Sequence, residues 1–284
     1  MFMGDDLAGR SGVSSLTDAL VTAFRSLPAT LAVVLAGSRT SGIADSRSDM
    51  DLYIYADSPP SLEERTIIMH QFADHGEIGN TFWEPGDEWA DVRTRLGVDI
   101  MYRRPQWMEQ ELKRILVHHQ ASLGYSTCFW HNVLTSTPLW ERQEWFTKLQ
   151  AWARQPYPVT LKHAIIAKNH PILRRTRSSL LHQLELAVLR HDLVSRNHRV
   201  AALLASYFDI VFALNEVPHP GEKRLVEWVL SSCVHVPRDL EAQITAVLCA
   251  CTAHRESDQS LLDHVQTLLN GLDEVLCAQG LINR

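Results

Sequence analysis

The hydrophobic pattern of this chain changes kind part-way along, and that change constrains the fold more than any other feature. Ahead of Trp107, short apolar runs suited to strands alternate with amphipathic stretches. Beyond it, apolar residues recur almost wholly at helical spacing, near 108–118, 141–153, 160–173, 179–194, 198–214, 222–230, 239–252 and 259–278. Strands first and helices afterward predict an α+β molecule, with a small mixed β-sheet domain followed by a helical-bundle domain. The expected division is 1–117 for the sheet domain, 118–157 for a connecting helical region and 158–284 for the helical domain. A chain of 284 residues, 45% hydrophobic, is long enough to bury a core in each. It contains no internal repeat or low-complexity segment that would suggest a solenoid or a linker.

Within the first region, Leu16, Leu20, Val21, Phe24 and Leu27 mark an amphipathic helix that Pro28 ends. The run Leu31 to Ala36, stopped by Gly37, has the length and continuity of a buried strand, and Met50 to Tyr55 supplies a second. A turn and one short helix are expected between them. Leu62 to Phe72 reads as another helix, and Arg93 to Tyr102 contains a strand around Val98, Ile100 and Met101. The intervening Phe82 to Trp89 is rich in turn formers and is expected to be a loop or lid.

Composition excludes several function classes. The formal net charge of −6 argues against non-specific wrapping of DNA, which needs many Lys and Arg on the phosphates. No apolar run reaches the roughly 18 residues of a membrane span, and the N-terminus carries acids where a signal peptide carries basic residues, so a cytoplasmic protein without membrane association is expected. The five cysteines lack metal-site spacing; Cys249 and Cys251, near His254, are read with the others as buried free thiols. Fourteen histidines include no His-Glu-x-x-His pattern.

The segment that carries chemistry runs from Gly37 to Leu52, with Gly37-Ser38 at the end of one strand and Asp49-x-Asp51 at the start of the next. In an extended chain, residues two apart share a face, so Asp49 and Asp51 project together. Two adjacent carboxylates repel unless a cation lies between them, and Mg²⁺, which prefers hard oxygen ligands, is the natural one. Asp99 is an isolated acid in an apolar strand. If that strand lies beside Asp51, three carboxylates converge, enough to hold two metal ions about 3.5–4 Å apart. Asp99 would then ligate one ion and act as base. Gly37 allows close backbone approach, and the Ser38 hydroxyl with nearby N–H groups suits phosphate oxygens; Ser48 joins the same group of candidates.

This pattern, Gly-Ser, a ten-residue spacer from Arg39 to Ser48, Asp-x-Asp and a later strand acid, resembles the signature of the DNA polymerase β-like nucleotidyltransferase superfamily. The chain looks most like its two-domain bacterial branch, related to antibiotic and small-molecule nucleotidyltransferases. The resemblance implies a small mixed sheet flanked by helices, catalytic metal ligands at Asp49, Asp51 and Asp99, Mg²⁺ as cofactor and a nucleoside triphosphate, ATP by default, as co-substrate. A second stretch, Phe212 to Leu225, resembles a helical-domain motif of that group in which the lysine faces nucleotide phosphates. Here Pro220 and Gly221 turn the chain, and Lys223 and Arg224 place cations at a helix start. The acceptor, a small molecule, a protein side chain or an RNA end, is not specified by any motif. A non-catalytic nucleotide sensor or partner-binding module with the same fold is the alternative.

Other features have plainer readings. Asn215 is expected to brace its turn and Asp45 to be a turn residue. Arg190, His191, Asp192, Arg196, His198 and Arg199 read as a solvated helix face rather than a cleft lining. Trp130, Trp140, Trp145 and Trp152 read as core or domain interface. Trp83-Glu84 either borders an acceptor pocket or packs as a surface loop.

Overall fold

The computed structural model describes residues 5–40, 48–82, 84–252 and 258–283, the side chains of 5–11, Ser38 and Asp258 excepted. Trp83, Asp45 and His254, singled out above, lie outside the described residues. The chain divides into two compact units, Met1–Leu112 with Asn132–Gln155 and Lys113–His131 with Pro156–Arg284. The stretch 118–157 therefore contributes to both.

The first unit opens with α1 (Asp5–Arg25) and β1 (Thr30–Leu35), followed by β2 (Met50–Ala56) and α2 (Leu62–Met69). A reciprocal cap between Ser61 and Glu64 starts α2. Next come β3 (Gly76–Asn80), β4 (Gly86–Ala90), β5 (Gly97–Arg103) and α3 (Pro105–Leu116), then α4 (Cys128–Thr135), β6 (Thr137–Glu141) and α5 (Trp145–Ala153). The six strands form one mixed sheet in the order β3-β4-β5-β2-β1-β6. Only β2 and β5 are parallel; the other neighbours are antiparallel.

Strand alternation sorts the sheet residues onto two faces. Met50, Leu52, Ile54, Val98, Ile100, Tyr102, Val33 and Trp89 pack with Leu16, Leu20 and Phe24 of α1 and with Ile68 and Met69 of α2. Asp51, Tyr53, Tyr55, Asp99, Met101 and Arg103 consequently project from the opposite face. There Tyr55 meets Trp145 and Phe146 of α5 at ring distances of 5.0 and 5.5 Å. Beside it the buried Arg103 is held by both carboxylate oxygens of Glu84, at 2.7 and 2.6 Å, and by Asn132 at 3.0 Å, with its guanidinium over the Tyr53 ring.

The expected loop over Phe82 to Trp89 is in part a strand: Gly86–Ala90 is β4, in register with β5. What makes it a strand is a long-range partner. Asp87 points into the core, where Arg65 of α2 donates from Nε at 2.9 Å and from Nη2, Tyr102 OH donates at 2.6 Å and Gly79 N–H at 2.8 Å. β6 also interrupts the helical region; its Pro138 is tolerated because β6 is an edge strand.

The second unit is helical: α6 (Val159–Arg174), α7 (Leu180–Leu189), α8 (Leu193–Leu214), α9 (Leu225–Ser232), α10 (Leu240–Thr252) and α11 (Asp258–Ala278). The helix expected over 179–194 stops at Leu189, because His191 takes a left-handed backbone and Asp192 caps α8 through the Ser195 N–H. Leu184, Leu203, Tyr207, Val211, Val247, Leu261, Val265 and Leu272 lie in its core. Polar groups are sealed in as well. Asp209 accepts from Ser126 N–H at 2.9 Å and Ser126 Oγ at 2.6 Å, with Asn169 Nδ2 at 3.3 Å, and burial raises its pKa to about 6. His219 accepts the Gly221 N–H on Nδ1 at 3.1 Å, while its backbone N–H donates to Thr127 Oγ1 at 2.7 Å. Burial lowers His219 to about 3, with His131 adding to the effect, and lowers His131 to about 4. Among the described residues, no helix is long and apolar enough to cross a membrane.

Candidate functional site

The parallel pairing of β2 with β5 sets Asp51 opposite Asp99. Register partners share a face, so these acids are side-by-side neighbours, with Asp49 on the same side two residues before Asp51. Two glycines make room for the carboxylates. A Cβ at Gly37 would stand 1.8 Å from Asp51 Oδ2, and one at Gly97 would stand 2.1 Å from Asp49 Oδ1. Asp51 therefore leans toward the turn after β1, and Asp49 leans across onto β5, into the side-chain slot that Gly97 leaves empty. Gly37 also takes a positive φ of 68°, which favours glycine at that turn.

The turn itself is a single 3₁₀ turn, Gly37–Arg39, closed by Thr40, whose N–H and hydroxyl both donate to Gly37 O at 3.3 and 3.0 Å. Its backbone is joined to β2 by the Ala36 N–H, which donates to Asp51 O at 2.9 Å. Arg39 reaches back across the opening: Nε donates to Asp49 O at 3.0 Å and Nη2 to Ser48 O at 2.6 Å.

The acidic row continues outward. Glu88 of β4 is the register partner of Asp99, and Glu77 of β3 is that of Glu88. A depression of about 490 Å³ is lined by Asp49, Asp99, Glu77, Glu88, Trp89, Gly97 and Val98. Among the described residues, no three His, Cys, Asp or Glu side chains are gathered as a ready-made metal cage. The acids are thus neighbours by register rather than a closed coordination sphere, and their donor atoms are all hard oxygens.

Of the residues singled out in the sequence, Gly37, Ser38, Ser48, Asp49, Asp51 and Asp99 fall on this one end of the sheet, whereas Lys223 and Arg224 belong to the second unit. Both are exposed just ahead of α9; Arg224 takes a left-handed backbone as its cap and lies 3.9 Å from Glu227. Asn215 caps α8 and braces the chain after α9, bonding His235 O and the N–H groups of Val234 and His235. Arg196, read as part of a solvated face, is instead buried and donates to Ala250 O at 3.0 Å. Of the thiols, Cys251 is buried, whereas Cys249 is exposed, contrary to expectation, because it falls on the solvent side of α10. Trp130 is buried against Tyr157, and Trp152 is 40% exposed.

Sequence reasoning missed Gly97, Arg39, Glu88 and Glu77. A glycine two positions before an isolated strand acid was a usable signal for Gly97; Glu88 and Glu77 become neighbours of Asp99 only through strand pairing.

No family model matches the chain, and no curated protein matches it. Among solved structures it is similar to a nucleotidyltransferase-like protein from Exiguobacterium sibiricum 255-15, with 15% identity and a TM-score of 0.43 over 97% of this chain and 76% of that chain.

Proposed function

We propose that this chain is a metal-dependent nucleotidyltransferase, moving a nucleoside monophosphate from a triphosphate, ATP by default, to an acceptor hydroxyl with release of pyrophosphate. The observation that carries this reading is the register pair Asp51–Asp99 on parallel strands, with Asp49 on the same face and the Gly37–Ser38 turn beside it. The all-oxygen donor set of Asp49, Asp51 and Asp99 suits Mg²⁺, and both leaning carboxylates have space kept clear by glycine. Two such ions, when bound, supply the positive charge that lets a triphosphate approach three acids. In this reading Asp99 takes the proton of the acceptor hydroxyl, while the backbone at Gly37, Ser38 and Ser48 lies against the phosphates. Lys223 and Arg224 keep the role implied by the motif their segment resembles, as cations for nucleotide phosphates. The acceptor is a small molecule, a protein or an RNA. The competing reading is a nucleotide sensor, which binds without releasing pyrophosphate.

The test is a melting experiment paired with a pyrophosphate assay. Mg²⁺ plus a triphosphate should raise the melting temperature more than either alone, since ligand held only by the native state stabilises it. The increment should shrink in Asp49→Asn. Equal stabilisation with and without metal, for every triphosphate tried, would remove the metal-site reading; binding without pyrophosphate release across an acceptor panel would favour the sensor.

A further inference from the structure

Ser48 and Asp49 stand just ahead of β2, which begins at Met50, while β1 ends at Leu35 and the Ala36 N–H after it donates to Asp51 O. The carbonyls of Ser48 and Asp49 are both gripped by one side chain. Arg39 places Nε on Asp49 O at 3.0 Å and Nη2 on Ser48 O at 2.6 Å. A guanidinium is a rigid plane whose donors diverge at fixed angles, so two bonds from one fork fix both the distance and the orientation of the peptide they grip. The residue that grips it belongs to the Gly37–Arg39 turn itself. Turn and first aspartate are therefore one mechanical piece, even though a spacer separates them in sequence.

We propose that Arg39 is a positioning residue of the carboxylate site, clamping the Ser48–Asp49 backbone so that the Asp49 carboxylate is set over Gly97, beside Asp99, before any cation arrives. The inference rests on the reading that Asp49, Asp51 and Asp99 take a divalent cation. Two features of the fork matter. It supplies geometry, because two bonds from one rigid plane fix the peptide ahead of β2 and so hold Asp49 over the β5 face. It also brings a positive charge to the Asp49 peptide, whose carbonyl lies 3.0 Å from Nε. A lysine keeps the charge and loses the geometry, which makes the contributions separable.

The experiment is a Mn²⁺ titration of the purified full-length chain, followed by calorimetry or by the loss of the free-ion paramagnetic signal, with the metal-free melting temperature of each variant measured in parallel. Arg39→Ala should weaken Mn²⁺ binding by about tenfold to a hundredfold, the usual effect of losing a group that orients a metal ligand. Arg39→Lys should recover only a small part of it. Millimolar guanidinium ion should restore affinity to Arg39→Ala and leave the wild type unchanged, which a purely structural role would not produce. Equal Mn²⁺ affinity in wild type and Arg39→Ala overturns the inference while leaving the carboxylate site standing. A wild type that binds no Mn²⁺, alone or with a triphosphate, overturns both. If Arg39→Ala fails to fold, Arg39→Lys decides: wild-type affinity there overturns the fork argument.

Discussion

The two units keep their acids in opposite surroundings. In the first, Asp49, Asp51 and Asp99 stand with Glu88 and Glu77 along one face of the sheet, the glutamates and Asp49 exposed and the other two half-buried. In the second, Asp209 is 1% exposed and sealed among the donors of Ser126 and Asn169. A buried acid with satisfied hydrogen bonds organises its core, and removing it leaves buried donors unpaired. A row of acids set side by side on a sheet face brings like charges together, a repulsion that a bound cation would relieve. The first arrangement should therefore respond to mutation in function and the second in stability.

Asp51→Asn should sharpen this contrast most. It is expected to lower Mg²⁺-dependent pyrophosphate release by about 10²–10³-fold, the usual scale for losing one preorganised electrostatic partner of a reacting phosphate. The metal-free melting temperature should stay level or rise slightly, since one repelling charge is gone. A fall in melting temperature with activity intact would reverse the comparison. Asp209→Ala should behave the other way, costing about 3 kcal/mol in urea unfolding as the Ser126 N–H and hydroxyl lose the carboxylate that accepts from both. Metal-dependent nucleotide binding by the fraction that remains folded should be unchanged. Gly97→Ala places a methyl where Asp49 Oδ1 lies. Its expected signature is a Mn²⁺ affinity lower by about tenfold or more with little change in unfolding free energy, because the displaced carboxylate is exposed and free to move away.

The smallest effect is one of pH. His219 and His131, held near 3 and 4, stay neutral in the fold below their unfolded pKa of about 6.5, so the stability tied to them is complete above that value and is lost as pH falls. Asp209, raised to about 6, has the opposite sign: its contribution is complete below its unfolded pKa and is lost as pH rises through 6. Between pH 6 and 4 the acid offsets one of the two histidines. Asp209→Asn removes that offset, so its loss of stability on acidification should be steeper than the wild type's by about 1.4 kcal/mol per pH unit. Parallel curves for the two proteins would show that Asp209 does not titrate in this range.

What the sequence displays and what it conceals divide along the same physical line. β1, β2 and β5 are apolar runs whose burial follows from their own residues, and the helices announce themselves by period. β4 does not, because Asp87 is a strand residue only once Arg65 neutralises it, and nothing local to Gly86–Ala90 says so. β6 is masked by Pro138, acceptable solely because that strand lies at the sheet's edge. At the site, the carboxylate pattern and the Gly-Ser turn are visible in the sequence. The lean of Asp49 into the Gly97 slot, the grip of Arg39 and the alignment of Glu88 with Asp99 depend on pairing and rotamer, which residue spacing does not encode.

The parallel pairing of β2 with β5 has a consequence for how the molecule is made. Parallel neighbours need a crossover, and here the chain between them carries α2, β3 and β4 before it returns. Contacts that close so long a loop form late, after local pairings have paid no such entropy. During synthesis, β1 and β2 are available to each other well before β5 has been made. A nascent or truncated chain ending before Gly97 already possesses the Gly-Ser turn and Asp-x-Asp, yet it has no Asp99 beside Asp51 and no slot for Asp49 to lean into. Competence is thereby tied to completion: the acids come together only when the crossover has closed.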